Sequence, residues 1–256
     1  AKGYRVTVLE RLDGPGGRAS VFKQDGFTFD AGPTIVTAPF LFEELWELCG
    51  RRFSDDVELR ALEPFYKVRF DDGDEFALSS DPDAMRAEIA RISPADAGNF
   101  ERYMAQSEAI FRVGFLELGD QTFDDPRAML KTIPDLVRLK AYRTVYGLVS
   151  HFFKHPKLRT ALSLHPLLIG GNPFQVTSIY ALIAHLERHW GVHYAMGGTH
   201  KLIEGMLDLL RGLVNDLGLA VVVVTHDLAV ARLMSHRMMV MKDGHVVETG
   251  LTDRVL

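Results

Sequence analysis

Cysteine is almost missing from this sequence: Cys49 is the only one among 256 residues. No internal disulfide can form, and the paired cysteines of C-x-x-C metal sites are excluded. The usage fits a reducing compartment. Long apolar runs are missing too. None reaches the roughly 18 residues of a membrane-spanning helix. The most apolar stretch, around Leu217–Val224, is short and β-branched and predicts a buried strand. There is no excess of positive charge. The 29 Lys and Arg against 34 Asp and Glu give a net charge of −5, which argues against a strongly basic nucleic-acid binder and leaves room for a local basic patch. The start shows no signal-peptide pattern. The sequence has no internal repeat, no low-complexity linker and no G-x-x-x-x-G-K-[ST] phosphate loop.

What is present is ordinary globular material, 47% hydrophobic and 25% charged, enough for one large or two small domains with a sizeable core. Tyr4–Glu10 is a β-branched run ending in an acid and predicts a parallel core strand. The segment D-G-P-G-G-R from Asp13 to Arg18 is a glycine-rich loop, and Phe27–Asp30 a short strand closed by Gly32 and Pro33. Apolar spacing over Pro39–Cys49 is near-helical, and Phe65–Phe70 and Glu75–Leu78 flank D-D-G-D as a hairpin. The pattern then turns helical. One helix starts at Asp81, and a second opens at Ser93 as N-cap with Pro94 and runs through Phe111. Further helical stretches cover Pro134–Ser150, Pro156–Leu164 and Pro173–His189. Gly197 and Gly198 break the pattern, and Thr199 is placed to cap a helix from His200. From Leu207 the order is an amphipathic helix to Leu217, a strand at Ala220–Val224, a short helix at Leu228–Met234 and a hairpin of Arg237–Met241 with His245–Glu248.

One constellation carries chemistry. A dinucleotide-binding fold places an acid at the end of its second strand, where it accepts hydrogen bonds from the adenosine ribose; Glu10 has that residue type and setting. Glycines without Cβ atoms let backbone amides approach a pyrophosphate, as Gly16 and Gly17 would, and Arg18 beside them would neutralise phosphate charge. The same features, a strand ending in an acid and a glycine turn, are common to many α/β proteins, and spacing alone leaves both readings open.

The wording of the motifs adds to this. V-T-V-L-E-R-L-D-G-P-G-G-R followed by G-F-T-F-D-A-G-P-T, then L-L-I-G-G-N-P-F, S-I-Y-A-L-I-A-H-L-E-R-H-W-G-V and G-G-T, resembles the phytoene desaturases, flavin-dependent carotenoid oxidoreductases, in order over residues 1–206. G-G-R is shared by many flavin amine oxidases; its combination with G-G-N-P-F and W-G-V is far more specific. The resemblance implies FAD along the G-G-R loop, with Glu10 on the ribose, Gly16, Gly17 and Arg18 facing the pyrophosphate, and Gly32, Pro33 and Thr34 near the flavin or the substrate path. It implies an apolar polyene substrate entering from a membrane surface, hydride removal carried by the flavin, and no assigned catalytic acid or base. On this reading Ala1 lies just before the second strand, so the beginning reads as cut and the first strand with its G-x-G-x-x-G turn as absent.

Residues 207–256 read differently. L-A-V-V-V-V-T-H-D-L-A-V-A-R followed by H-R-M-M-V-M-K-D-G-H-V-V-E-T-G resembles the end of an ABC-transporter ATPase domain of the phosphonate-uptake and carbon–phosphorus lyase type. The resemblance would put His226 at a γ-phosphate, but no phosphate loop and no aspartate–glutamate pair accompany it. The expectation is a chimera joined near Met206, whose tail helix and strand could stand in for a desaturase helix and strand.

His185, His189 and His193 are spaced four apart, yet Trp190-Gly191 should end the helix between them, so solvated or core-edge histidines are expected rather than metal ligands. Phe111, Phe115, Phe152 and Phe153, with Leu167, Leu168 and Ile169, either form an ordinary core or line an apolar tunnel. Phe152 and Phe153, with the basic Arg138, Lys140 and Arg143, are also candidates for a membrane-surface contact. The expected fold is α/β: a partial FAD-binding Rossmann-type domain, a largely helical substrate-domain portion and an αβ tail. The expected function is FAD-dependent desaturation of a carotenoid such as phytoene. The alternatives are a non-catalytic chimeric or truncated α/β protein and a vestigial ATP-binding fragment. The expected localisation is cytoplasmic, with membrane association through the polyene substrate, and no nucleic-acid partner.

Overall fold

A computed structural model describes residues 7–10, 16–119, 126–217, 222–225, 235–242 and 245–255. The chain divides into two compact units: Ala1–Ile35, Phe40–Arg60 and Tyr194–Leu256 form the first, and Val36–Pro39 with Ala61–His193 the second.

In the first unit, strand β1 (Thr7–Glu10) pairs parallel with a strand near the other end of the chain, Val222–Thr225, with Thr7 opposite Val222 and Glu10 opposite Thr225. Both are rich in β-branched residues that suit a parallel core strand. Strands β2 (Val21–Gln24) and β3 (Phe27–Asp30) form an antiparallel hairpin. Only the second of these was expected. The missed signal is Asp25-Gly26, the two-residue turn itself, whose positive φ values of 52° and 82° are those that bring twisted strands together. Helix α1 (Pro39–Leu48) buries Trp46, whose indole Nε1 donates to Asp56 Oδ2 at 2.6 Å and whose ring meets the edge of Phe53 at 5.0 Å.

Strand β4 (Leu59–Ala61) lies where the chain passes from the first unit's Phe40–Arg60 segment into the second unit, in which β5 (Tyr66–Arg69) and β6 (Glu75–Leu78) make the expected hairpin. Helix α2 (Pro82–Ile92) starts as its sequence dictates, with the Asp81 carboxylate accepting from Asp83 N and Pro82 in the first turn. Ser93 departs from expectation: its side chain caps nothing, Pro94–Asn99 form a 3-10 turn, and helix α3 begins only at Phe100, running to Phe111. The Ser93 side chain hydrogen-bonds to the Asp96 carboxylate instead. A π-helical segment, Arg112–Glu117, continues α3.

The single helix expected over Pro134–Ser150 is two. Helix α4 (Pro126–Arg138) contains Pro134, the backbone turns at Lys140 with a φ of 59°, and α5 (Val145–Phe152) restarts under a Thr144 cap whose hydroxyl accepts from Gly147 N at 3.0 Å. Helices α6 (Pro156–Leu162) and α7 (Leu182–Trp190) follow, and Gly191 with a φ of 78° stops α7 where expected. Phe76, Ile89, Tyr103, Ile110, Val145, Leu148, Val149, Phe153 and Leu158 form the core of this unit.

After strand β7 (His193–Ala195), helix α8 (His200–Leu217) runs without interruption through Met206 and returns the chain to the first unit. The strand that pairs with β1 is β8; β9 (Arg237–Lys242) and β10 (His245–Leu251) form the last hairpin, with a bulge between Val246 and Glu248. The short helix expected at 228–234 lies outside the described residues. No described helix is long and apolar enough to cross a membrane.

Candidate functional site

Three segments distant in sequence meet in the first unit. The first is the loop after β1. Gly16 and Gly17 have φ values of 124° and 51°, which residues with a Cβ rarely adopt, and Gly17–Ala19 turn in a single 3-10 step that leaves Arg18 exposed. The second is the D-A-G-P end of β3. Ala31 N donates to Ser20 O at 2.9 Å, and a Cβ on Gly32 would lie 1.9 Å from the Arg18 carbonyl oxygen, so only glycine permits this approach. The third is the G-G-T step into α8. Gly197 and Gly198 have φ values of 88° and 100°. Thr199 N donates to Asp30 Oδ1 at 2.9 Å, and the Thr199 hydroxyl, expected to cap the helix, donates instead to the Pro33 carbonyl at 2.6 Å. A contact from α8 back to the first loop closes the triangle: a Cβ on Gly16 would come within 3.2 Å of the Ile203 side chain.

Of the residues singled out from sequence, Gly16, Gly17, Arg18, Gly32, Pro33 and Thr34 lie in this triangle. Gly32, Pro33 and Thr34 present an exposed surface. Glu10 ends β1 opposite Thr225, one loop away, and its side chain is outside the described residues, as is all of His226. Two members were missed. By sequence Asp30 is the end of a strand and Thr199 a helix cap; the available signal is an acid directly before A-G-P and a threonine directly after a glycine pair.

The second unit holds a polar network that no motif marked. Tyr66 Oη donates to Glu187 Oε1 at 2.8 Å, and His165 Nε2 lies 3.1 Å from Glu187 Oε2 without hydrogen-bond alignment. His165 and Glu187 are almost fully buried. Burial first, and the Glu187 charge second, push the Tyr66 hydroxyl well above its ordinary range. A separate cleft of about 510 Å³ is lined by Glu101, Glu108, His185, Arg188 and His189 over Phe100 and Met104. His185 and His189 stack there at 5.6 Å, while His193 has left the helix and exchanges backbone hydrogen bonds with Val36. Burial lowers the His185 pKa. Among the described residues no three His, Cys, Asp or Glu side chains form a metal cluster.

The apolar set divides. Phe111, Phe152 and Phe153 are buried, the last two in the core, which removes Phe152 and Phe153 as membrane contacts. Leu167, Leu168 and Ile169 are exposed, at 62%, 42% and 55% of their surface, and so are not core.

The family described as flavin containing amine oxidoreductase matches residues 1–231. The chain is 44% identical over 212 residues to a phytoene desaturase (neurosporene-forming) of Cereibacter sphaeroides, a match covering 83% of this chain and 41% of that protein. It is 43% identical over 213 residues to a phytoene desaturase (lycopene-forming) of Pantoea ananas, covering 83% of this chain and 43% of that protein. It is 31% identical over 212 residues to a zeta-carotene-forming phytoene desaturase of Myxococcus xanthus, covering 82% and 41%. The chain thus spans about two fifths of the length of these curated relatives. The family match continues 25 residues beyond the junction expected at Met206, to residue 231, and the ATPase resemblance of the tail finds no support in these comparisons.

Proposed function

This chain belongs to the flavin-containing amine oxidoreductase family, a membership that implies FAD, and from it we propose that the chain serves FAD-dependent desaturation of a carotenoid such as phytoene. The observation that carries the reading is the meeting of G-G-R, D-A-G-P and G-G-T in one place. The residues fit such a group. The backbone at Gly16 and Gly17 runs through conformations open to glycine, and Gly32 leaves no room for a side chain against Arg18. Glu10 would hold the ribose. Gly16 and Gly17 would give backbone N–H groups, and Arg18 a positive charge, to the pyrophosphate. Gly32, Pro33 and Thr34 would border the flavin or the substrate path. FAD, when bound, supplies the hydride acceptor. What these residues do is bind, orient and leave open an approach for an apolar chain. No acid or base is assigned.

A polyene is drawn from a lipid surface, and the proposal includes peripheral contact with one. Its support is the exposed Leu167–Ile169 with Phe174, 63% exposed, an apolar run on the surface of the second unit. It replaces the buried Phe152 and Phe153 in that role. The division at Met206, with residues 207–256 as an ATPase-like fragment and His226 at a phosphate, rests on motif wording alone. Lack of ATP binding by calorimetry ends it.

The test is a visible absorption spectrum of the purified chain after incubation with FAD and desalting. Retained flavin bands, followed by conversion of phytoene in vesicles to a more desaturated product, are the expected results. A colourless protein overturns the reading and leaves a non-catalytic α/β chain.

A further inference from the structure

We infer that Asp30 and Thr199 are positioning residues that lock the cofactor loop in shape; the inference rests on the flavin reading for its purpose, and on geometry alone for the lock itself. Among the described residues, the Asp30 carboxylate accepts from no glycine amide. Its carboxylate instead accepts from Thr199 N at 2.9 Å, while the Thr199 hydroxyl donates to Pro33 O at 2.6 Å. These two bonds tie the end of β3 to the start of α8 at two points. The tie matters because both tied elements touch the loop. The β3 end touches it through Ala31 N to Ser20 O at 2.9 Å and through the close approach of Gly32 to Arg18 O. Helix α8 touches it through Ile203 against Gly16.

The packing around the carboxylate is tight. A Cβ on Gly198 would come 3.1 Å from Asp30 Oδ1, so the glycine pair is what allows the acid to reach the Thr199 amide. Thr199 is only 6% exposed, and removing the carboxylate takes away the hydrogen-bond partner of its part-buried amide. Gly16 and Gly17 gain freedom easily, being glycines. A loop made of them keeps a binding shape only if its flanks are fixed, and the Asp30–Thr199 tie fixes both flanks at once. Order created before binding is order that binding need not create, which raises affinity.

The experiment compares Asp30→Ala, Asp30→Asn and Thr199→Val with the parent chain, with two readouts. Amide hydrogen exchange of residues 16–20 and 198–203 in the absence of FAD reads the lock alone. Quenching of FAD fluorescence reads its consequence. Asparagine keeps an acceptor oxygen for Thr199 N, so D30N should exchange and bind like the parent. D30A should exchange faster by on the order of tenfold in both segments, with the second unit unchanged, and should bind FAD on the order of tenfold more weakly. T199V, which keeps the amide and loses the hydroxyl, should fall between them. Unchanged exchange in D30A overturns the lock, whatever FAD does. Faster exchange with no loss of FAD affinity overturns the positioning role. A parent chain that binds no FAD fails the proposed function instead, and the exchange data then still decide the lock.

Discussion

Removing the Asp96 carboxylate should be among the most damaging single changes in the second unit. Helix α6 begins at Pro156, and its N-cap residue His155 offers no side-chain cap. Asp96, far off in sequence and 2% exposed, instead anchors the two residues that lead into the helix. Lys154 N donates to both of its oxygens at 3.0 Å, and His155 N donates to Oδ2 at 2.9 Å. A hydrogen bond to a charged group contributes about 1.5–3 kcal/mol. Two donors give an upper bound near 6 kcal/mol, and because these amides are only part-buried, about 2–4 kcal/mol is the expected loss for Asp96→Ala. Asp96→Asn keeps one carbonyl oxygen and should lose about 1–2 kcal/mol. Burial alone would raise the Asp96 pKa, but the His155 and Lys154 amides outweigh it and hold the carboxyl below its ordinary value. A depressed carboxyl contributes stability that is present above about pH 4 and disappears as pH falls through the folded value. The gap between wild type and D96N should therefore narrow on acidification. Urea unfolding followed by far-UV circular dichroism, at pH 7 and again below about pH 4, where the depressed carboxyl takes up its proton, measures both. A D96A chain within about 0.5 kcal/mol of wild type, or no worse than D96N, refutes the reasoning.

Other changes have equally direct readouts. Tyr66→Phe strands Glu187 Oε1 without its 2.8 Å donor and should cost about 1–3 kcal/mol by urea midpoint; a change under about 0.5 kcal/mol would mean the network contributes nothing. Asp74 is held down to about 2, chiefly by its hydrogen bond from Lys157 and, against burial, by one from Arg91. Its contribution is present above about pH 4 and lost as pH falls towards 2, so Lys157→Met should flatten the acid limb of a stability-versus-pH curve, and an unchanged slope would contradict this. Gly32→Ala places a Cβ 1.9 Å from a backbone oxygen, whereas Gly98→Ala meets nothing within 4 Å. G32A should lower Tm by several degrees and G98A by little, since overpacking against backbone costs about 1–3 kcal/mol; equal Tm values would remove the steric argument.

The local grammar of this chain was readable where one signal acted alone. Asp81-Pro82 started a helix, Gly191 ended one, and D-D-G-D turned a hairpin. It misled where another group competed, near or far in sequence. Ser93 was a sound N-cap by type until Asp96 claimed its hydroxyl, and Thr199 until Pro33 did. Pro134 looked like a helix start and sits inside α4, because the real interruption is the left-handed Lys140 and the Thr144 cap. At the candidate site the glycines were legible because positive φ writes itself into composition. Asp30 was not, because its partner is an amide 169 positions away, and backbone amides leave no trace in sequence. Glu187, His165 and Tyr66 were invisible for the same reason: three polar residues from separate segments become a network only once the core closes.

The pairing of β1 with β8 also sets an order in time. Thr7 and Val222 lie about 215 residues apart along the chain, and at roughly 5–20 residues per second a ribosome needs on the order of 10–40 seconds to deliver the second after the first. The contacts of the second unit, contained within Val36–Pro39 and Ala61–His193, can form during that interval. The strand that ends in Glu10 lacks its β8 partner until Val222–Thr225 has been made, and the pair is then assembled onto elements already made. Until then the nascent chain carries this β-branched strand without its β8 partner, and a β-branched strand edge left uncovered is a site of aggregation.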